Sequence, residues 1–248
     1  MTEKFATIIL AAGMGKRMKS DLPKVLHTFA GKPLVHHVID QAKSVGSDKI
    51  VLVIGHGRQL VIDETRGMSV EYAVQEHQLG TGDAVQACKV SLGDYPGDVL
   101  ILSGDVPLLQ SASIVAAHKV HRDSGSAATV FTFKPPSAEG YGRILRTETG
   151  DLVGIVEHKD ATPEQKQIGE VNAGIYFFKT GLMFEALENV RNDNAAGEFY
   201  LTDTISVLSG RGEKLAGYLV VDPLEVEGVN SPDQLATLEQ EWLKRRVS

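Results

Sequence analysis

Apolar positions in the first half of the chain follow two alternating rhythms. Residues 5–11 (FATIILA) form a continuous apolar run that stops at a glycine, as a strand buried on both faces does. Residues 33–45 (PLVHHVIDQAKSV) instead space Leu34, Val35, Val38, Ile39, Ala42 and Val45 as a helix does, with Pro33 at a first-turn position. The pattern then repeats. Strands are expected at 50–54 (IVLVI), 70–74 (VEYAV), 98–103 (DVLILS) and 127–133 (AATVFTF), with helices over TGDAVQACKVSL and SASIVAAHKVHRDSG. From about residue 134 the rhythm shortens, and GRILRTETGDLVGIVEH and VNAGIYFFK read as hairpins or a mixed sheet covering one side. Helices return at 181–192, 200–209 and 232–246.

This alternation predicts an α/β fold: a Rossmann-like, mostly parallel sheet with helices on both faces, plus a smaller mixed-sheet region. No Pro/Gly/Ser linker and no internal repeat divides the sequence. One domain over 1–248 is expected, with a nucleotide-binding half at about 1–133, a substrate half at about 134–230 and a C-terminal helix at about 232–246. In open α/β sheets ligands bind at the carboxyl ends of the strands. Those ends carry Gly13, Gly55, the segment after Val74, and Asp105.

Composition narrows the field. At 42% hydrophobic and 23% charged, the 248 residues are ordinary globular material. A net charge of −7 argues against broad nucleic-acid binding, while leaving room for a local basic cluster that serves one small anion. The single cysteine, Cys88, cannot form an intrachain disulfide and reads as a small buried hydrophobe in a reducing compartment. No apolar run reaches the ~20 residues that span a bilayer, and TEKFATIIL is too short in its apolar part for a signal peptide. A cytoplasmic protein with no membrane partner is expected.

The segment LAAGMGKRM (Leu10 to Met18) joins a strand end to two glycines and then to cations. Gly13 and Gly15 allow the backbone to turn tightly and approach a ligand, and exposed N–H groups there attract phosphate. Lys16, Arg17 and Lys24 supply charge-assisted hydrogen bonds. Neither familiar phosphate loop fits. Arg17 stands where a Walker loop needs Ser or Thr, and Met18 where the dinucleotide fingerprint needs its third glycine.

The ordered set of motifs is more specific than any one of them. LAAGMGKRMKSDLPKVLHTFAGKPLVHHVI, VQEHQLGTGDAV, GDVPLL, YGRI, VEHKDAT, EVNAGIY, GEFYLTD and EVEGVNS together resemble the sugar-1-phosphate nucleotidyltransferases. They are most similar to the uridyltransferase domain of the bifunctional bacterial enzymes that make UDP-N-acetylglucosamine. The resemblance covers essentially the whole chain. It implies a nucleotide-diphospho-sugar transferase (GT-A-like) architecture. It also implies transfer of a uridylyl group from UTP to N-acetylglucosamine 1-phosphate with release of pyrophosphate, assisted by Mg²⁺. By the same resemblance, Leu10, Ala11, Ala12, Gly13 and Gly15 would cradle the nucleotide, and Arg17 and Lys24 would contact its triphosphate. Gln75, Gln78, Gly80 and Thr81 would read the base. Asp105 and Asn230 would hold the metal, and Gly142, Glu157 and Asn172 would line the sugar pocket. The hexapeptide repeats of an acetyltransferase β-helix are absent from these 248 residues, so neither acetyl transfer nor a β-helix trimer is expected; the oligomeric state is left open.

Elementary chemistry is consistent with these roles. Two polyanions must meet, so cations and a divalent ion have to offset their repulsion, and positioning supplies much of the remainder. Asp105, on a strand end just before Pro107, suits an oxygen-seeking ion; alone it would read as a turn cap. Asn230 could equally cap the helix that follows it. Gln75 offers one donor and one acceptor side to a uracil edge, and does not by itself separate UTP from dTTP. Within the resemblance, Lys16, Asp83, Ser103 and Ala173 depart from the usual residues, Asp83 standing where the uridyltransferases commonly have His. Two alternatives stay open: the same chemistry on another sugar 1-phosphate or with dTTP, or a catalytically inactive nucleotide-sugar-binding regulatory protein. His118 and His121, in AAHKVHRD, read as part of a wet helical face rather than a metal pair.

Overall fold

A computed structural model describes residues 4–247. Its strands are β1 (Phe5–Leu10), β2 (Thr28–Phe29), β3 (Lys32–Pro33), β4 (Lys49–Ile54), β5 (Glu71–Val74), β6 (Asp98–Ser103), β7 (Ala128–Phe133), β8 (Arg143–Arg146), β9 (Leu152–Val156), β10 (Val171–Lys179) and β11 (Leu215–Leu219). The helices are α1 (Leu34–Ser44), α2 (Arg58–Glu64), α3 (Thr81–Gln86), α4 (Lys89–Leu92), α5 (Ser111–Ser124), α6 (Thr180–Leu187), α7 (Asp203–Gly210) and α8 (Pro232–Val247). Among the described residues, no helix is long and apolar enough to cross a membrane.

The main sheet runs β11-β7-β10-β6-β1-β4-β5, with the β8–β9 hairpin joined through β10. Strands β5, β4, β1 and β6 pair in parallel. Chain order moves from β1 to β4 and β5 on one side, then returns to β6 on the other. The reversal opens a crevice at the carboxyl ends of β1 and β6, where this class of sheet binds ligands.

Alternate residues of each strand supply the two faces. Ala6 and Ile8 of β1 join Val51, Val53, Val99 and Ile101 on one side, packed against α3, α4, α6, α7 and the hairpin. Phe5 and Ile9 join Leu52, Ile54, Leu100 and Phe177 on the other, packed against α1, α2 and α5. The apolar runs are continuous because both faces are buried. A third cluster, of Met18, Phe29, Leu34, Val229 and Leu238 with Trp242 beside them, ties α8 to the N-terminal segment.

Four features differ from the expectation. The strand VNAGIYFFK does not lie in a separate sheet: β10 inserts antiparallel between β6 and β7. Its residues 175–178 are all buried, which is what a central strand requires. TGDAVQACKVSL folds as two short helices, α3 and α4, rather than one. β11, a parallel edge strand on β7, and α2 carry too little periodic apolar pattern to be anticipated.

Candidate active site

The crevice is built from four segments that are far apart in sequence. Residues 11–15 leave β1 and reach a left-handed turn at Gly15 (φ 58°). A Cβ at Gly15 would lie 2.7 Å from Lys24 Cβ, so the glycine is required for Lys24 to fold back over the loop. Arg17 lies in a single 3₁₀ turn, Lys16–Met18, which is anchored by the buried Met18. Lys24 opens a second such turn, Lys24–Leu26, whose Val25 and Leu26 are buried. Anchored apolar neighbours thus aim two flexible cations at one place.

Asp105 follows β6, and its backbone oxygen accepts from the Val229 amide at 3.0 Å. That bond brings the loop before α8 to the crevice. The Lys24 ammonium donates to Asp105 Oδ2 and, at 3.1 Å, to Asn230 Oδ1. The Arg17 guanidinium reaches the same Asn230 oxygen at 2.9 Å. Asn230 does not cap α8: Ser231 Oγ accepts from the Gln234 amide, and Gln234 Oε1 accepts from the Asn230 backbone. With the cap supplied by Ser231, Asn230 Nδ2 donates to the Gly228 carbonyl at 3.2 Å and its Oδ1 faces the cations. A carboxylate oxygen and an amide oxygen therefore converge on one cation, the Lys24 ammonium. The hard oxygen donors that Mg²⁺ prefers are in reach of a single point. Among the described residues no three His, Cys, Asp or Glu side chains cluster to hold a metal, so a divalent ion here would depend on this pair and on the substrates' phosphates.

A cavity of about 310 Å³ extends from this centre along the end of β1. Leu10, Ala11, Ala12, Gly13, Lys24, Gln75, Gln78, Gly80, Thr81 and Asp105 all line it, as do Ser103 and Glu198. The buried Gln75 donates from Nε2 to the Gly80 carbonyl at 3.0 Å and to Asp83 Oδ2 at 2.7 Å. Asp83 is thus turned toward Gln75 rather than toward the cations. Ser103 lines this cavity too, and its Oγ would lie 3.6 Å from a Cβ placed on Gly174 of β10. The expected base-reading residues are therefore together, and next to the charged centre.

Gly142, Glu157 and Asn172 form a second group. A Cβ at Gly142 would fall 3.5 Å from both Glu157 carboxylate oxygens, and the Asn172 amide donates to the Gly142 carbonyl at 2.9 Å. The β7–β10 register shifts between Asn172 and Tyr176, with Gly174 at φ 73°. This bulge re-aims Asn172, whose Nδ2 donates to the Tyr176 hydroxyl at 2.7 Å. Thr202 Oγ1 donates to Glu157 at 2.9 Å. Burial pushes the Glu157 carboxyl above the usual range; Thr202 opposes this, and Asp160 and Glu198 add to it.

The chain matches the Nucleotidyl transferase family model over residues 6–222. It is 48% identical over 248 residues to the Bifunctional protein GlmU of Halalkalibacterium halodurans, covering 100% of this chain and 54% of that protein. It is 46% identical over 244 residues to the GlmU of Brevibacillus brevis, covering 98% of this chain and 52% of the relative. The chain belongs to the nucleotidyl transferase family. It spans about half the length of the curated relatives it matches. Among solved structures, a UDP-glucose pyrophosphorylase complexed with UDP-glucose shares its fold, with a TM-score of 0.78 at 17% identity, covering 99% of this chain and 100% of that one. Nucleotidyl transferases of this kind are enzymes that generally use a divalent metal, which suits the oxygen pair described above.

Sequence reasoning marked Asp83 only as a departure from the usual His and assigned no role to Glu198 or Thr202 in this nucleotidyl transferase. The last two sit in GEFYLTD, which carried the resemblance, but their contacts arise only when that segment folds over the Leu79–Gly82 loop. The wet-face reading of AAHKVHRD holds for the exposed Lys119, Arg122 and Asp123 but fails at its two histidines. His121 is buried, and its Nδ1 lies 2.9 Å from Thr129 Oγ1. His118 lies 3.1 Å from Asp98 and stacks on Phe177 with ring centroids 4.7 Å apart. Burial alone would raise the Asp98 carboxyl, but the two imidazoles at it hold it well below the usual range. Adjacent polar residues on a helix look wet in sequence; here a strand end beneath α5 supplies their partner. Cys88 is buried as expected, and burial pushes its thiol up to about 12.

Proposed function

We propose that this chain transfers a uridylyl group from UTP to N-acetylglucosamine 1-phosphate, releasing pyrophosphate, with Mg²⁺ as the divalent ion. One observation carries the reading: Arg17, Lys24, Asp105 and Asn230, spread over 213 residues, meet at the mouth of the cavity lined by the β1 loop. A merely structural role does not call for two cations, a carboxylate and an amide at one solvent-reachable point.

In this reading the nucleoside lies along residues 10–13, with its base toward Gln75 and Gly80, and the sugar phosphate enters from the Gly142, Glu157 and Asn172 side. Asp105 and Asn230 would hold the metal, which when bound supplies charge neutralisation between the two phosphates. Lys24, released from those two oxygens, turns its ammonium to the phosphates, and Arg17 offers its fork beside it. A sugar-phosphate oxygen forms a bond to the α-phosphorus. The bond from that phosphorus to the bridging oxygen breaks, and pyrophosphate leaves with the electron pair. The attacking oxygen is already anionic, so no general base is required. Orientation and electrostatics are what these residues contribute.

Pyrophosphate release measured with UTP, dTTP and CTP against several sugar 1-phosphates tests the reading. Highest kcat/KM is expected for UTP with N-acetylglucosamine 1-phosphate. Asp105→Ala should lower kcat by at least about 100-fold. Absence of turnover with UTP in the wild type would refute the proposal. Binding of UDP-N-acetylglucosamine by an inert wild type would show a binding protein instead.

A further inference from the structure

Gln75 spends both of its amide hydrogens inside the protein. Its Nε2 donates at 3.0 Å to the Gly80 carbonyl and at 2.7 Å to Asp83 Oδ2. A carbonyl and a carboxylate can only accept, so the amide has one chemically satisfied orientation, with nitrogen inward and oxygen outward. Both acceptors are held in place. Gly80, at φ 119°, also receives the Ala84 amide of α3 at 3.1 Å. The loop is clamped by the Phe199 amide on the Leu79 carbonyl at 2.7 Å and by the Gly82 amide on the Phe199 carbonyl at 2.8 Å. Asp83 stands in the first turn of α3 and is not among the residues that line the nucleotide cavity, whereas Gln75 is.

We infer that Asp83 is a positioning residue for base selection: its carboxylate locks the Gln75 amide so that only the carbonyl oxygen meets the base. The inference rests on the nucleotide reading of the cavity given above. A free glutamine adapts to either pyrimidine. Turned one way, its oxygen accepts the N3–H of uracil; turned the other, its nitrogen donates to N3 of cytosine while its oxygen accepts from the exocyclic amine. The locked amide has no hydrogen left for cytosine N3, whose lone pair would face a carbonyl oxygen unpaired. Uracil and thymine carry the ring N–H that the outward oxygen needs. Asp83 therefore does its work through another side chain, and it disfavours one base rather than strengthening every nucleotide alike.

Isothermal titration of the full chain with UDP and with CDP, at one Mg²⁺ concentration, reads this without requiring turnover. The wild type should prefer UDP. Asp83→Ala releases one of the two amide hydrogens, the Gly80 carbonyl keeping the other, and should lower the UDP-to-CDP affinity ratio about tenfold, chiefly by improving CDP binding, a change on the scale of one hydrogen bond. Asp83→Asn keeps a carbonyl acceptor and should fall between wild type and alanine. It also serves as the second variant should Asp83→Ala fail to fold, with a shift in the same direction. An equal loss of UDP and CDP affinity in the variants would mark Asp83 as structural only and overturn the inference. So would an unchanged ratio, or a wild type that binds both alike. Selective UDP binding by a wild type that nonetheless turns over no UTP would sink the transferase proposal while leaving the Asp83 lock standing.

Discussion

At the scale of single residues, the charged centre is a set of mutual constraints. Lys24 satisfies Asp105 and Asn230 together, and Arg17 shares the second oxygen. Each of these long cations is expensive to order, and the apolar neighbours Met18, Val25 and Leu26 bear that cost by pinning the backbone on either side. Gly15 is the most exacting position, since its φ of 58° and its closeness to Lys24 both exclude a Cβ. Gly15→Ala is expected to cost about 1–2 kcal/mol of stability in a urea titration, from the left-handed backbone. It should also lower kcat/KM at least about tenfold, because Lys24 is pushed from its place. Loss of stability without loss of kcat/KM would show that the loop relaxes without moving the lysine. At this scale the sequence was legible where a residue type has few uses. A glycine directly before two cations and an aspartate at a strand end point to phosphate and metal. Asp83 was not legible, because its partner is eight positions away across a loop whose path no local pattern describes.

At the scale of elements, β10 is the strand that joins the two halves of the site. Its second half is buried between β6 and β7, while its first half bulges at Gly174 and sets the Asn172 amide on the Gly142 carbonyl. Helix α7 packs against β9 behind this group and begins at Asp203. Burial, with the carboxylates of Glu157, Asp160 and Asp193 nearby, pushes Asp203 up to about 6. A carboxyl raised in the folded state stabilises the fold in its protonated form. That contribution is complete below the unfolded value of about 4 and is lost as the pH rises through 6. Asp203→Asn should therefore stabilise the protein at pH 8 by about 1 kcal/mol, a figure reduced for partial solvent exposure and for the helix N-terminus that favours the charge. At pH 4 the gain should vanish. Denaturant midpoints at the two pH values check both signs, and a gain at pH 4 equal to that at pH 8 would assign the effect to packing.

At the scale of the whole molecule, the site depends on a helix none of whose described side chains lines the crevice. Helix α8 packs Leu238 and Trp242 against Phe29 and Met18, and the ring of Trp242 meets that of Phe29 edge-on with centroids 5.7 Å apart. Glu239 accepts from the Ala30 amide at 2.9 Å. Through these contacts the loop carrying Val229 and Asn230 is held against Asp105 and the cationic turns. Trp242→Ala is expected to remove about 2 kcal/mol of stability, less than a fully buried tryptophan because the ring is partly exposed. It should also raise the Mg²⁺ concentration needed for half-maximal rate by several-fold, as Asn230 loosens. A stability loss with unchanged Mg²⁺ dependence would separate the packing of α8 from the placing of Asn230.

The sequence by itself determined the alternation of strand and helix, the burial of the parallel strands on both faces, and the residue types gathered at the strand ends. Those features follow from local periodicity and from the few uses of glycine and charged side chains, both of which are written in neighbouring positions. Tertiary structure alone decided that β10 enters the main sheet, that Ser231 rather than Asn230 caps α8, that His118 and His121 find Asp98, and that Asp83 faces Gln75. Each of these is a choice among partners of similar chemistry. The choice is made by which chain segments the packing of the two apolar faces brings within hydrogen-bond distance, a property of the whole chain that no window of sequence contains.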